Sequence, residues 1–150
     1  MNYELRPYQP EDYLNVTRRE FDQFTFGTRG NPEVIARQLS QGQAFTGVCE
    51  KGFIACAGVL PIWKGVAEGW CVGSPLIQLF RFSFPRVVHK KIQEVINLYK
   101  LDRLQTIVDA EFTVSVKWLE RMGFRYEGEM EKYIAGRTYL RYAWVRGRNG

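Results

Sequence analysis

Two periods of apolar placement alternate along this chain, and the switches between them mark its elements. Tyr3 to Arg6 reads as a short strand stopped by Pro7. Pro10-Glu-Asp-Tyr-Leu opens a helix with acids in its first turn, where the helix dipole favours them, and the helix is expected to reach about Phe21. Gly27 to Gly30 is a loop. Asn31-Pro32-Glu33 then reads as N-cap, first-turn proline and acid, ahead of a helix with Val34, Ile35, Gln38 and Leu39 on one stripe. Ala44 to Glu50 and Phe53 to Leu60 are strands joined by Lys51-Gly52, the second expected to end at Pro61. Val66 to Val72 is a third strand, broken by Gly73-Ser74-Pro75. Leu76 to Phe84 is apolar and aromatic without a clear period.

A helix follows, beginning at Ser83 or Phe84. Val88, Ile92, Val95, Ile96 and Tyr99 fall on one stripe of a 3.6-residue period. Leu104 to Val108 is a continuous apolar-leaning strand, expected to be buried on both faces. Thr113 to Met122 is a helix stopped by Gly123. Phe124 to Met130 and Thr138 to Arg146 are strands joined across Ala135-Gly136, and the tail from Gly147 to Gly150 is expected to fray. The predicted order is strand, two helices, three-strand meander, helix, strand, helix, two strands. That order predicts an α/β (α+β) fold, a mixed sheet with helices on both faces.

At 150 residues, one domain is expected. Aromatics make up 15 % of the chain, enough for a well-filled core. No apolar run approaches the ~20 residues that span a bilayer, and the first residues lack a signal-peptide layout. A soluble, cytoplasmic chain with no membrane partner is the expectation. Cys49, Cys56 and Cys71 show no CxxC spacing, which argues against a zinc site or a disulfide framework and for buried thiols. The net charge of +5 favours anionic partners. There is no nucleic-acid-binding motif, and the aromatics sit on core periodicities rather than on a stacking surface, so nucleic acid is not expected as a specific ligand.

The element order, the block Ser115-x-x-x-Leu119-Glu120-Arg121-Met122-Gly123-Phe124, and the ending Glu127-Gly128 with Gly136 before an aromatic strand resemble the GNAT superfamily, the Gcn5-related N-acyltransferases. The resemblance implies a mostly antiparallel central sheet with one parallel strand pair parting into a V-shaped cleft. It implies acetyl-CoA or another acyl-CoA as cofactor and an amine as acceptor. The family's pyrophosphate loop, Arg/Gln-x-x-Gly-x-Gly/Ala, corresponds here to Arg81-Phe-Ser-Phe84-Pro-Arg86, where Phe84 and Arg86 replace small residues and Pro85 lacks an N–H. Arg81, Arg86 and Lys90, with His89 and Lys91, crowd the helix start and would form a side-chain phosphate clamp, or equally a solvated basic face. The family's tyrosine acid is replaced by Leu119.

Glu68, on the fourth strand, stands where the resemblance implies the base, or equally is a solvent-facing strand carboxylate; Asp109, after the fifth, is a second carboxylate candidate or a cap for the following helix. Tyr126 and Tyr133 are candidate acids or packed strand aromatics. The backbone of Trp70, Cys71 and Val72 is the expected contact for the thioester carbonyl and the pantetheine arm. Trp70-Cys71-Val72-x-Ser74 and Trp118-Leu-Glu-Arg-Met-Gly-Phe124 also look like short acetyltransferase-like proteins of tailed phages, some named as internal virion proteins. That narrower likeness implies the alternative of a catalytically inactive virion or interaction protein, with a virion component or a second copy of the chain as partner.

Overall fold

The computed structural model describes residues 2–148. One seven-stranded sheet runs through it in the order β1-β2-β3-β4-β5-β7-β6. The strands are β1 (Tyr3–Pro7), β2 (Gln43–Cys49), β3 (Gly52–Trp63), β4 (Val66–Gly73), β5 (Arg103–Asp109), β6 (Arg125–Ile134) and β7 (Arg137–Val145). Every neighbouring pair is antiparallel except β4 with β5. The helices are α1 (Pro10–Asn15), α2 (Glu20–Phe26), α3 (Pro32–Gln38), α4 (Phe84–Tyr99) and α5 (Thr113–Arg121). Among the described residues, no helix is long and apolar enough to cross a membrane.

The core forms two layers, one on each face of the sheet. Tyr13, Val16, Phe26, Ala36 and Leu39 of the α1–α3 region pack with Cys56 and Val72. Phe84, Val88, Val95 and Ile96 of α4 pack with Ile54, Val59, Ala67 and Leu104, joined by Trp118 and Leu119 of α5. Successive strand residues face opposite sides. Ala67 therefore meets α4, while Glu68 looks toward α1–α3.

The local signals act as their chemistry requires. The Asn31 side chain accepts from the amides of Glu33 and Val34, capping α3. Gly123 has φ +90°, so the chain leaves α5 through a conformation an L-residue resists. Ala135 and Gly136 both have positive φ, which matches the twist of the β6–β7 hairpin.

Five expectations need correction. The single helix from Pro10 to Phe21 is two, because Val16 and Arg19 are extended and the Arg19 amide donates to the Gly73 carbonyl. Of the predicted stripe, Leu39 lies just past α3 and is buried and Ile35 is partly covered, but Val34 and Gln38 are exposed; the residue α3 buries is Ala36. Pro61 does not end β3, which continues to Trp63. Pairing with β2 stops at Val59, so the proline lies beyond that partner and takes no ladder bond away from it. β5 is buried on one face, at Leu104, Thr106 and Val108, and half-buried on the other, at Arg103, Gln105 and Ile107. The tail does not fray at once: Arg148 donates to the Ala143 carbonyl and to Glu127, while Asn149 and Gly150 lie outside the described residues. The unassigned stretch holds a 3₁₀ helix over Pro75–Phe80, capped by Ser74.

Candidate active site

The site begins where β4 and β5 part. They pair only at Val66–Arg103, Ala67–Leu104 and Glu68–Gln105. Beyond that the Thr106 hydroxyl donates to the Gly69 carbonyl at 2.9 Å, and the strands then separate. The gap opens into a cleft of about 300 Å³. Its walls come from both faces of the sheet: Val88, Ile92 and Val95 of α4 with Trp118 and Leu119 of α5 on one side, and Asp22, Thr25 and Phe26 of α2 on the other.

Backbone direction follows from two contacts. The Gly69 carbonyl points across the gap, and the Gly73 amide also points there, donating to Asp22 Oδ2 at 3.2 Å. Peptide groups along a strand alternate with a period of two. The Cys71 N–H, midway between, is therefore aimed into the cleft, while Trp70 pairs with Gly58 of β3.

Helix α2 straps the open end of the V. Asp22 holds β4 through Gly73, and Arg19 donates to Asp22 at 2.6 Å. Phe21 stacks on Phe112, just after β5, at 4.4 Å between ring centroids, and Arg19 lies 4.7 Å over the same Phe112 ring. Burial pushes the Asp22 carboxyl upward, against the pull of Arg19 and the Gly73 amide. Burial also raises the Cys71 thiol to about 12, so it is no nucleophile at neutral pH.

The structure brings some predicted residues together and separates others. Glu68 lines the cleft, bound at 3.0 Å by Arg141 and at 2.9 Å by Gln105. Asp109 also lines it but is only 2 % exposed; it takes Arg137 Nε at 2.5 Å and the Glu111 amide at 3.0 Å. It fixes the turn after β5 rather than capping α5, whose N-cap is Phe112. Trp70 and Cys71 line the cleft, whereas the Val72 side chain is fully buried on the α1–α3 face. Tyr126 is kept away: it stands opposite Tyr142, whose hydroxyl donates to Glu120 of α5, so its ring lies on the far face from Glu68 and is 54 % exposed. Tyr133 is the tyrosine that reaches the cleft, packed on Tyr139.

Arg81, Arg86 and Lys90 are exposed and lie outside the cleft wall, and Arg81 folds over the ring of Phe82. Lys91 is the cation of α4 that forms part of the wall. The phenylalanines of this segment leave the cleft open. Phe80 and Phe84 are buried against Tyr3, and Phe82 is 72 % exposed. Sequence reasoning missed Arg19, Asp22, Thr106 and Arg141. A signal existed for Arg141: a cation between Leu140 and Tyr142 on an aromatic strand calls for a buried partner. Among the described residues no group of His, Cys, Asp and Glu is placed to hold a metal ion.

No protein-family model matches the sequence, and no curated protein does. Solved structures do. An acetyltransferase of the GNAT family from Bacillus anthracis superposes with a TM-score of 0.72 at 16 % identity, over 97 % of this chain and 95 % of that one. The spermidine/spermine N-acetyltransferase SpeG of Vibrio cholerae, in E33Q and E41Q mutant forms, gives 0.70 at 14 %, over 99 % and 97 %. The ribosomal-protein-S5-alanine acetyltransferase of Vibrio fischeri gives 0.66 at 14 %, over 100 % and 96 %. The parted β4–β5 pair, the sheet order and these superpositions together show that the chain has the fold of the GNAT acetyltransferases.

Proposed function

We propose that this chain transfers an acyl group, acetyl in the simplest case, from coenzyme A to an amine. The observation that carries this reading is the open cleft between β4 and β5, entered from both faces of one sheet. Two reactants can meet there from opposite sides. The apolar α4–α5 wall suits a pantetheine arm, and its volume of about 300 Å³ accommodates one. The phosphates would lie at the rim, beside the first turns of α4. Pro85 has no N–H and the Val87 amide is spent on Ser83, so a backbone phosphate nest is short of donors. Arg81, Arg86, Lys90 and Lys91 would supply the charge from side chains instead.

The thioester carbonyl would sit at the Cys71 N–H, which offers a fixed dipole where negative charge develops. The amine nitrogen attacks the carbonyl carbon, a C–N bond forms, and the C–S bond breaks. The proton lost by the amine goes to the Glu68 carboxylate, directly or through one water. Arg141 and Gln105 keep that carboxylate oriented toward the cleft. The sulfur leaves as thiolate and is protonated from solvent. Coenzyme A's thiol resembles a cysteine, with an ordinary pKa of about 8.5, so a dedicated acid is dispensable. Tyr133, rather than Tyr126, is the nearer phenol on the acceptor side.

A second reading, an inactive protein on the same frame, has its own support: both candidate carboxylates, Glu68 and Asp109, are held by arginines. Titration calorimetry with acetyl-CoA, followed by thiol release with a panel of amines, separates the two. Saturable one-to-one binding with amine-dependent thiol release is expected. Binding without release for every amine supports the inactive reading, and no heat at millimolar acetyl-CoA removes the acyltransferase reading and leaves the inactive one.

A further inference from the structure

The acceptor-side mouth of the cleft carries carboxylates that are already matched. Asp22 is held by Arg19 and the Gly73 amide. Glu68 is held by Arg141 and Gln105, and Asp109 by Arg137 and the Glu111 amide. An acceptor with a second ammonium would have to displace an arginine to find a counter-charge. That exchange trades one charge-assisted bond for another and gains little.

The unmatched charge at this mouth is positive. Arg29 lines the cleft just past α2, with its guanidinium 5.1 Å from the Phe26 ring centre. Among the described residues it has no carboxylate within ion-pair distance. Arg141 spends only Nη1 on Glu68; among the described residues its other guanidinium N–H groups have no acceptor. The Thr25 hydroxyl, bonded to Tyr139 at 2.9 Å, and the Tyr133 ring complete the rim.

We infer that the acceptor is a small amine bearing a carboxylate, an amino acid, whose anionic group is held by Arg29 and the free edge of Arg141 while its nitrogen approaches Glu68. The inference rests on the acyltransferase reading. Arg29 and Arg141 are binding residues here and take no part in bond making.

The test compares amino acids of several side-chain types with their own α-amides and with spermidine. Two readouts are used on the full chain: saturation-transfer NMR binding to the coenzyme A-loaded protein, and thiol release from acetyl-CoA. For at least one amino acid, the free acid is expected to bind and react about tenfold better than its amide, the size of one charge-assisted hydrogen bond. Arg29→Ala should remove that preference with acetyl-CoA affinity unchanged, and Arg29→Lys should keep part of it. Equal handling of acids and amides, a preference for spermidine, no amine binding at millimolar concentration, or a preference that survives Arg29→Ala would each overturn the inference. Failure of acetyl-CoA itself to bind would instead sink the acyltransferase reading.

Discussion

Replacing Gly47 with alanine probes the seat of α4 on the sheet. A Cβ at Gly47 would stand 2.7 Å from Phe84 Cε1 and 3.3 Å from Cζ. Carbon atoms prefer separations of ~3.5–4.0 Å, so the ring would have to retreat by about 1 Å. Phe84 has nowhere to go. It has zero exposure, with Tyr3 at 5.7 Å and Trp118 at 6.4 Å between ring centroids. Overpacking of this kind costs about 1–3 kcal/mol. Stiffening of the unfolded chain on losing a glycine offsets roughly 0.4–1 kcal/mol of that. Urea unfolding followed by tryptophan fluorescence should therefore show a net loss, and each kcal/mol should lower Tm by about 2–4 °C. Phe84→Leu leaves a cavity by itself but makes room for the new methyl. The double variant should be more stable than the sum of the two losses predicts, with a coupling of about 0.5 kcal/mol or more. Strict additivity, or a Gly47→Ala variant as stable as the parent, would refute the claim that Phe84 anchors α4 on the sheet.

Three further outcomes are expected. Glu68→Gln should lower kcat by about 10²–10⁴ with acetyl-CoA affinity nearly unchanged, measured by thiol release and calorimetry; a matching loss of acetyl-CoA affinity would assign Glu68 to cofactor binding instead. The Glu127 carboxyl is lowered from its usual 4.5 to about 2, chiefly by hydrogen bonds from Arg103, with Arg148 adding to it. A depressed pKa contributes stability that is whole above the usual value and is lost as pH falls toward the folded one. Unfolding curves between about pH 4.5 and 2 should thus fall less steeply in Glu127→Gln than in the parent. Burial pushes the Cys56 thiol up to about 12, so it should resist a disulfide reagent at pH 8 until denaturant is added; rapid reaction of Cys56 in the native protein would contradict its placement.

The order of elements was legible because periodicity and turn chemistry are local. α4 shows its stripe from Val88 to Tyr99, Asn31-Pro32 announces α3, and Ala135-Gly136 sets the last hairpin. What was not legible depends on long-range contacts. The break between α1 and α2 is set by the Arg19 amide reaching Gly73, 54 residues away in sequence. The state of Glu68 depends on Arg141, 73 residues later. Its position on the fourth strand was readable; its partner was not. The face that Tyr126 takes was not legible, because the face of β6 follows from its register with β7, which shifts between Tyr126 and Gly128. The basic start of α4 was visible as composition, but only the packing of the helix shows that Lys91 meets the cleft while Arg86 and Lys90 face outward.

On the reading proposed above, the parting of β4 and β5 receives an acyl-CoA. Amide chemical-shift mapping with acetyl-CoA tests it directly, in the isotope-labelled full chain. The Cys71 amide should move most, with further shifts over residues 69–73 and 106–109 and on the facing sides of α4 and α5. Shifts confined to other surfaces, or a Cys71 signal unmoved at saturating acetyl-CoA, would contradict it.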